Sequence, residues 1–181
     1  MRTLFLLAFW LPTLVFAQHL HRVVRSEVTF VSEAPLERIA ATNRAVTGLF
    51  DLDQRSFAIR VPIVEFEGFN APLQREHFNE NYLLSGKFPH ATFNGRIIEA
   101  IDLRKPGTHR VRAKGEFAIR GITQERIVPC TVVVTADGMR VTTELDVVLE
   151  EHDIRIPRIV NQKIAPVVHV AVDLRFEPRT P

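Results

Sequence analysis

The chain has 181 residues, with 23 Lys and Arg against 21 Asp and Glu, a net charge of +2. That length suits one domain, and the basic residues, nearly all Arg, are scattered rather than clustered, which argues against a nucleic-acid-binding surface. A single cysteine, Cys130, excludes an internal disulfide, so stability must come from a packed core.

Taken in chain order, the first feature is Arg2 followed by the apolar run Leu4–Phe16 and the small residue Ala17. A positive start, a short apolar core and a small closing residue make a secretory signal peptide. The run is shorter than the about 20 residues a membrane span needs. Cleavage before Gln18 is expected, giving a domain over residues 18–181 with no transmembrane segment and a periplasmic or secreted location. An uncut N-terminal anchor is the competing reading. No Cys follows the cleavage site, which argues against a lipoprotein anchor.

Eight segments then read as strands. They are Val23–Ser32, Arg44–Leu52, Phe57–Ile63, Ala91–Ile101, His109–Ile119, Arg126–Thr135, Met139–Leu149 and Val168–Phe176. Four alternate apolar and polar residues with period two, as strands with one wet face do. In His109–Ile119 the inward set is Val111, Ala113, Gly115, Phe117 and Ile119, against outward Arg110, Arg112, Lys114 and Glu116. Asp137-Gly138 marks a tight hairpin, and Pro106-Gly107 and Gly121 mark turns. Glu37–Asn43 fits a helical turn or an extended entry, and the extended form is preferred. Pro157 limits Arg155–Lys163 to a loop or a single turn.

No strand–helix–strand alternation appears, so the fold expected is all-β. Eight long antiparallel strands with one apolar face close into a barrel without exposed edges. A two-sheet sandwich is the alternative.

One helix, Ala71–Ser85, interrupts the strands and is expected to close one end of the barrel. Pro72 suits its first turn, Asn70 its cap, and Gly86 and Pro89 its end. At 100° per residue, Leu73, Leu84, His77, Asn81, Phe78 and Tyr82 fall on one half, facing the sheet. Arg75, Glu76, Asn79 and Leu83 fall on the other. The inward polar groups His77 and Asn81 therefore need partners. They either tie the helix to the sheet or, with Tyr82, meet the polar end of a ligand.

His77 and Glu80 offer two metal ligands at i, i+3, short of the three or four a zinc site needs. No metal, cofactor or catalytic residue is therefore expected. A metal-dependent or redox accessory using His77, Glu80 and Asn81 is the minor alternative. Cys130 falls on the apolar phase of its strand and reads as core. Lys163 sits where a barrel has its rim, as a headgroup contact or a plain rim charge. Small inward residues such as Ala113 and Gly115 leave space for a ligand or accommodate a ring from the helix.

Several phrases resemble one family. These are Phe30–Pro35, Val46–Asp51, Phe57–Phe66, His77–Leu83, Phe88–Gly95, Gly115–Phe117 with Gly121–Thr123, and Lys163–Ala165. Together they look like the YceI-like family, across essentially all of residues 18–181. The resemblance implies a secreted, lipocalin-like barrel that binds a polyisoprenoid or another long, fatty-acid-like amphiphile inside. It implies Phe66, Phe69, Phe78, Tyr82, Phe88, Phe93 and Phe117 as lining residues. With His77 and Asn81 these form the candidate ligand site. The expected partner is a lipid or isoprenoid; a homodimer is left open. A ligand-free interaction module is the alternative function.

Overall fold

The computed structural model describes residues 20–179; the expected leader and its cleavage point lie outside the described residues. One sheet holds strands β1 (Leu20–Glu33), β2 (Arg38–Asn43), β3 (Thr47–Asp51), β4 (Ser56–Pro62) and β5 (Phe66–Glu67). It continues with β6 (His90–Ile97), β7 (Gly107–Ile119), β8 (Ile122–Thr135), β9 (Gly138–Val148) and β10 (Val167–Pro178). The neighbours run β10-β9-β8-β7-β6-β4-β3-β1-β2-β5, and β10 also pairs with β1, so the sheet closes on itself. All the pairs are antiparallel.

The ten pieces make eight staves. β2 and β3 both lie against β1 as one interrupted stave, and β4 and β5 make another. Buried side chains patch the break between β2 and β3. Asn43 Nδ2 donates to Pro62 O at 2.7 Å, and Asn43 Oδ1 accepts from Ala45 N at 2.9 Å. Ser26 Oγ accepts from Val46 N at 3.2 Å. Left unmet, each such buried group would cost about 1–3 kcal/mol.

The period-two alternation sets the wall. Val111, Ala113 and Ile119 are buried on β7, Met139 and Val147 on β9, and Val168, Leu174 and Phe176 on β10. The extended reading of Glu37–Asn43 agrees with β2, and Arg155–Lys163 holds one 3-10 turn, Arg158–Val160. Other expectations need correction. The sixth strand stops at Ile97 rather than Ile101, because the chain leaves the sheet to tuck Leu103 beneath the barrel. Leu103 packs in one cluster with Phe50, Met139 and Phe176 and plugs that end. Gly115 leaves no room for a ligand. It faces Gly95 across β6 and β7, and a Cβ on Gly115 would stand 2.1 Å from Asn94 O.

A further irregularity lies between β8 and β9. They pair only from Thr131–Thr135 to Gly138–Thr142. Pro129 has no N–H to extend a ladder, and Thr143 Oγ1 donates to its carbonyl at 2.6 Å instead. Beyond that point the turn Leu149–His152 returns to β8, where Gln124 Nε2 donates to Glu151 O at 3.1 Å. Arg126 pairs with Glu151, and Arg120 pairs with Asp153 at 2.9 Å.

Short turns join the strands at the Leu103 end, apart from the Ile98–Pro106 loop. The opposite end carries the loops 34–37, 63–89 and 149–166. The helix lies in the second of these.

Candidate functional site

The helix is shorter and less regular than its pattern suggests. α1 covers Pro72–His77, and Phe78–Tyr82 continues as a π-turn. Leu83 N–H bonds Phe78 O at 2.9 Å, five residues back. That wider turn shifts the phase, so Leu83, expected outside, is buried, and Asn81, expected inside, is exposed. Pro72 holds the first turn as expected. Asn70 is not the cap: Ala71 occupies that position without a side-chain bond. Gln74 Oε1 accepts from Asn70 N at 3.0 Å, while Asn70 Nδ2 donates to Arg38 O at 2.9 Å.

Four rings pin the helix to the wall. Phe78 stacks on Phe30 at 5.2 Å between centroids and meets Phe69 at 5.2 Å and Phe66 at 5.6 Å. Such pairs contribute about 0.5–1.5 kcal/mol each beyond burial. A second run of rings follows the lumen downward: Phe117 to Phe93 at 5.9 Å, Phe93 to Phe57 at 5.0 Å, Phe57 to Phe50 at 6.5 Å.

Between these two groups lies a cavity of about 570 Å³. That is within the usual range for a small-molecule site. Its wall is the inward set of the strands: Ile59 and Val61 on β4, Val141 and Leu145 on β9, Val170 and Val172 on β10. Of the candidate residues, Phe66, Phe69, Phe78, Tyr82, Phe93 and Phe117 line it, and His77 borders it from an exposed position. Two candidates lie elsewhere. Asn81 faces solvent for the reason given above. Phe88 packs on Gly121, whose left-handed backbone and missing Cβ admit the ring, with Lys87 Nζ 5.0 Å above it.

The charged and amide side chains of the cavity stand at its mouth, and the Thr143 hydroxyl in its wall is taken up by Pro129 O. Glu37, Gln74, His77 and Lys163 stand at that mouth, with Gln74 Nε2 donating to Glu37 at 2.5 Å. Glu37 and Gln74 were not singled out by sequence reasoning; a fold-back of the β1–β2 turn onto a helix leaves no local signal. On the π-turn, burial pushes the Tyr82 hydroxyl above its ordinary pKa. It also raises the Cys130 thiol, which donates to Val128 O at 3.4 Å as a core cysteine does. His152 is fully buried behind Phe117, edge-on at 5.7 Å, and desolvation holds its imidazole below the usual range.

A second hollow, about 730 Å³ and open to solvent, lies outside β7–β10 and β1. Of its four carboxylates, Glu27, Glu99 and Asp173 are paired with Arg44, Arg112 and Arg140, and Glu144 lies 3.7 Å from His169, which makes it a solvated outer face. Among the described residues no group of three His, Cys, Asp or Glu is placed to hold a metal. No helix among them is long and apolar enough to cross a membrane.

A closed eight-stranded antiparallel barrel, plugged at one end and hollow towards a helix-covered mouth, defines a lipocalin-like class of β-barrel. Residues 22–176 match the family model described as the YceI-like domain, and the chain belongs to that family.

Solved structures agree on the fold. A polyisoprenoid binding domain from Saccharophagus degradans, implicated in plant cell wall breakdown, is similar at TM-score 0.76 and 12% identity, covering 90% of this chain and 99% of that one. BcnA from Burkholderia cenocepacia is similar at TM-score 0.69 and 17% identity, covering 83% and 95%. A Campylobacter jejuni YceI protein is similar at TM-score 0.57 and 10% identity, covering 99% and 100%. Comparison with curated proteins finds no match.

Proposed function

We propose that this protein is an exported carrier that holds one long apolar or amphiphilic molecule, isoprenoid-like or fatty-acid-like, in its barrel. The observation that carries this is the cavity, with largely apolar walls, its few wall hydroxyls and thiol apart, and its charged and amide side chains gathered at the mouth. A buried polar headgroup deep inside would lack partners and cost about 1–3 kcal/mol for each unmet bond. The ligand therefore enters tail first, and its head stays beside Gln74, His77 and Lys163. Membership of the YceI-like family and the likeness to a polyisoprenoid binding domain support the same class of ligand. Binding, rather than catalysis, is the activity.

Organic extraction of protein purified from membrane-containing cells, followed by mass spectrometry, tests this. One long-chain species per protein is expected. An extract no richer in lipid than that of a denatured control would favour a ligand-free module.

A further inference from the structure

The most exposed large apolar side chains do not lie on the barrel wall. Ile159 is 91% exposed, Leu36 67% and Leu73 56%, higher than any other large apolar residue among the described residues. All three sit at the mouth. Leu36 is on the β1–β2 turn, whose N–H bonds Gln162 O at 2.9 Å. Leu73 is on α1 and also lines the cavity. Ile159 is in the 3-10 turn beside Val160, another lining residue. Leu73 and Val160 thus carry apolar surface from the lumen to the lip, between the polar groups that stand there.

Charge around the lip is uneven. The stretch from Arg155 to Lys163 carries Arg155, Arg158 and Lys163 and no acid. Arg158 and Lys163 form no ion pair among the described residues. Of the acids near the lip, Glu37 is hydrogen-bonded by Gln74, Glu65, Glu76 and Glu80 lie on the helix side, and Glu150 precedes the tip in sequence. Asp153 and Glu151, next to the tip, are taken up by Arg120, Arg155 and Arg126. An exposed isoleucine between two free cations is the pattern of a surface that meets an anionic interface.

We propose that the Leu36–Leu73–Ile159 rim docks on an anionic lipid bilayer, Ile159 leading, so that the mouth opens against the membrane. The cationic tip holds the headgroup layer, and Leu73 and Val160 offer apolar contact between acyl chains and lumen. The docking serves the carrier reading above and rests on it for its purpose alone.

Flotation with vesicles of phosphatidylcholine, and of phosphatidylcholine with phosphatidylglycerol, tests it. Capture is expected on the anionic vesicles, falling with added salt. Ile159→Asp should weaken capture tenfold or more, by about the value of one buried aliphatic side chain. Arg158→Gln should weaken it about fivefold, the value of one surface cation. Both side chains are exposed, so both variants should melt as the parent does and bind N-phenyl-1-naphthylamine, an apolar fluorescent probe of the lumen, as the parent does. No capture on anionic vesicles, or capture indifferent to Ile159→Asp, overturns the docking. So does a shift in sedimentation of the parent that Ile159→Asp abolishes without vesicle capture, which would make the rim a contact between copies. Absence of probe binding by the parent, with capture intact, would instead remove the carrier reading and leave the docking standing.

Discussion

His152 shows how much one side chain can depend on distant sequence. It lies in a turn after β9, yet its Nδ1 bonds Ile122 O on β8 at 3.3 Å, and its Nε2 is buried without a partner. Burial lowers its pKa first of all, and Arg126 lowers it further; the bonded carbonyl and Glu151 oppose them. The unfolded chain regains an ordinary imidazole, titrating at about 6.5. Below that pH the unfolded state takes up a proton that the folded state resists, so stability falls as pH drops through about 6.5. Asp153 and Asp173, held low by Arg120 and Arg140, contribute stability that is lost only in the acid carboxylate range. Urea midpoints at about pH 7.5 and 5.5 should therefore differ, and His152→Asn, which keeps a donor for Ile122 O but does not titrate, should shrink the difference. An unchanged difference in the variant would place the titration elsewhere. Nothing in Glu150–Asp153 advertised this, because both the burial and the carbonyl come from other strands. Asn43 was equally silent: its role as a splint exists only once β2, β3 and β4 are assembled.

The elements were more legible. The alternation along β4, β7, β9 and β10 names the residues that face the lumen, since the pleat has a period of two and only one face is wet. The helix was legible as an element but not in phase. A π-turn places one face by five-residue bonds, which a 100° wheel does not anticipate, and so Leu83 and Asn81 exchanged sides. Gly115 was misread, because its neighbours are backbone. Gly115→Ala forces β6 and β7 apart, because its Cβ would also stand 2.8 Å from Gly95 Cα. The expected cost is about 2–3 kcal/mol, typical of forced overpacking. Gly86→Ala, with nothing within 4 Å of the added Cβ, should stay within about 0.5 kcal/mol of the parent. Equal urea midpoints for the two variants would contradict the close strand approach.

At the scale of the molecule, asymmetry between the two ends explains the arrangement. One end is sealed by Leu103, Phe50 and Phe176. The other gathers the helix, the cationic tip and the polar lip. The closed barrel was readable from the strand number and the missing strand–helix alternation. The plug and the hollow were not, since both depend on how an irregular loop and several rings share one space. The ring cluster Phe30–Phe66–Phe69–Phe78 fills the mouth side without filling the lumen. Whether that lumen takes up a chain is the central claim. Titration of N-phenyl-1-naphthylamine into the protein, and into Val170→Phe, whose added ring projects from the cavity wall, tests it directly. The account predicts saturable binding at one probe per protein, displaced by a long-chain isoprenoid alcohol and weakened at least about tenfold by Val170→Phe, given the volume a ring removes. Absence of saturable binding, or equal affinity in the filled variant, would contradict it.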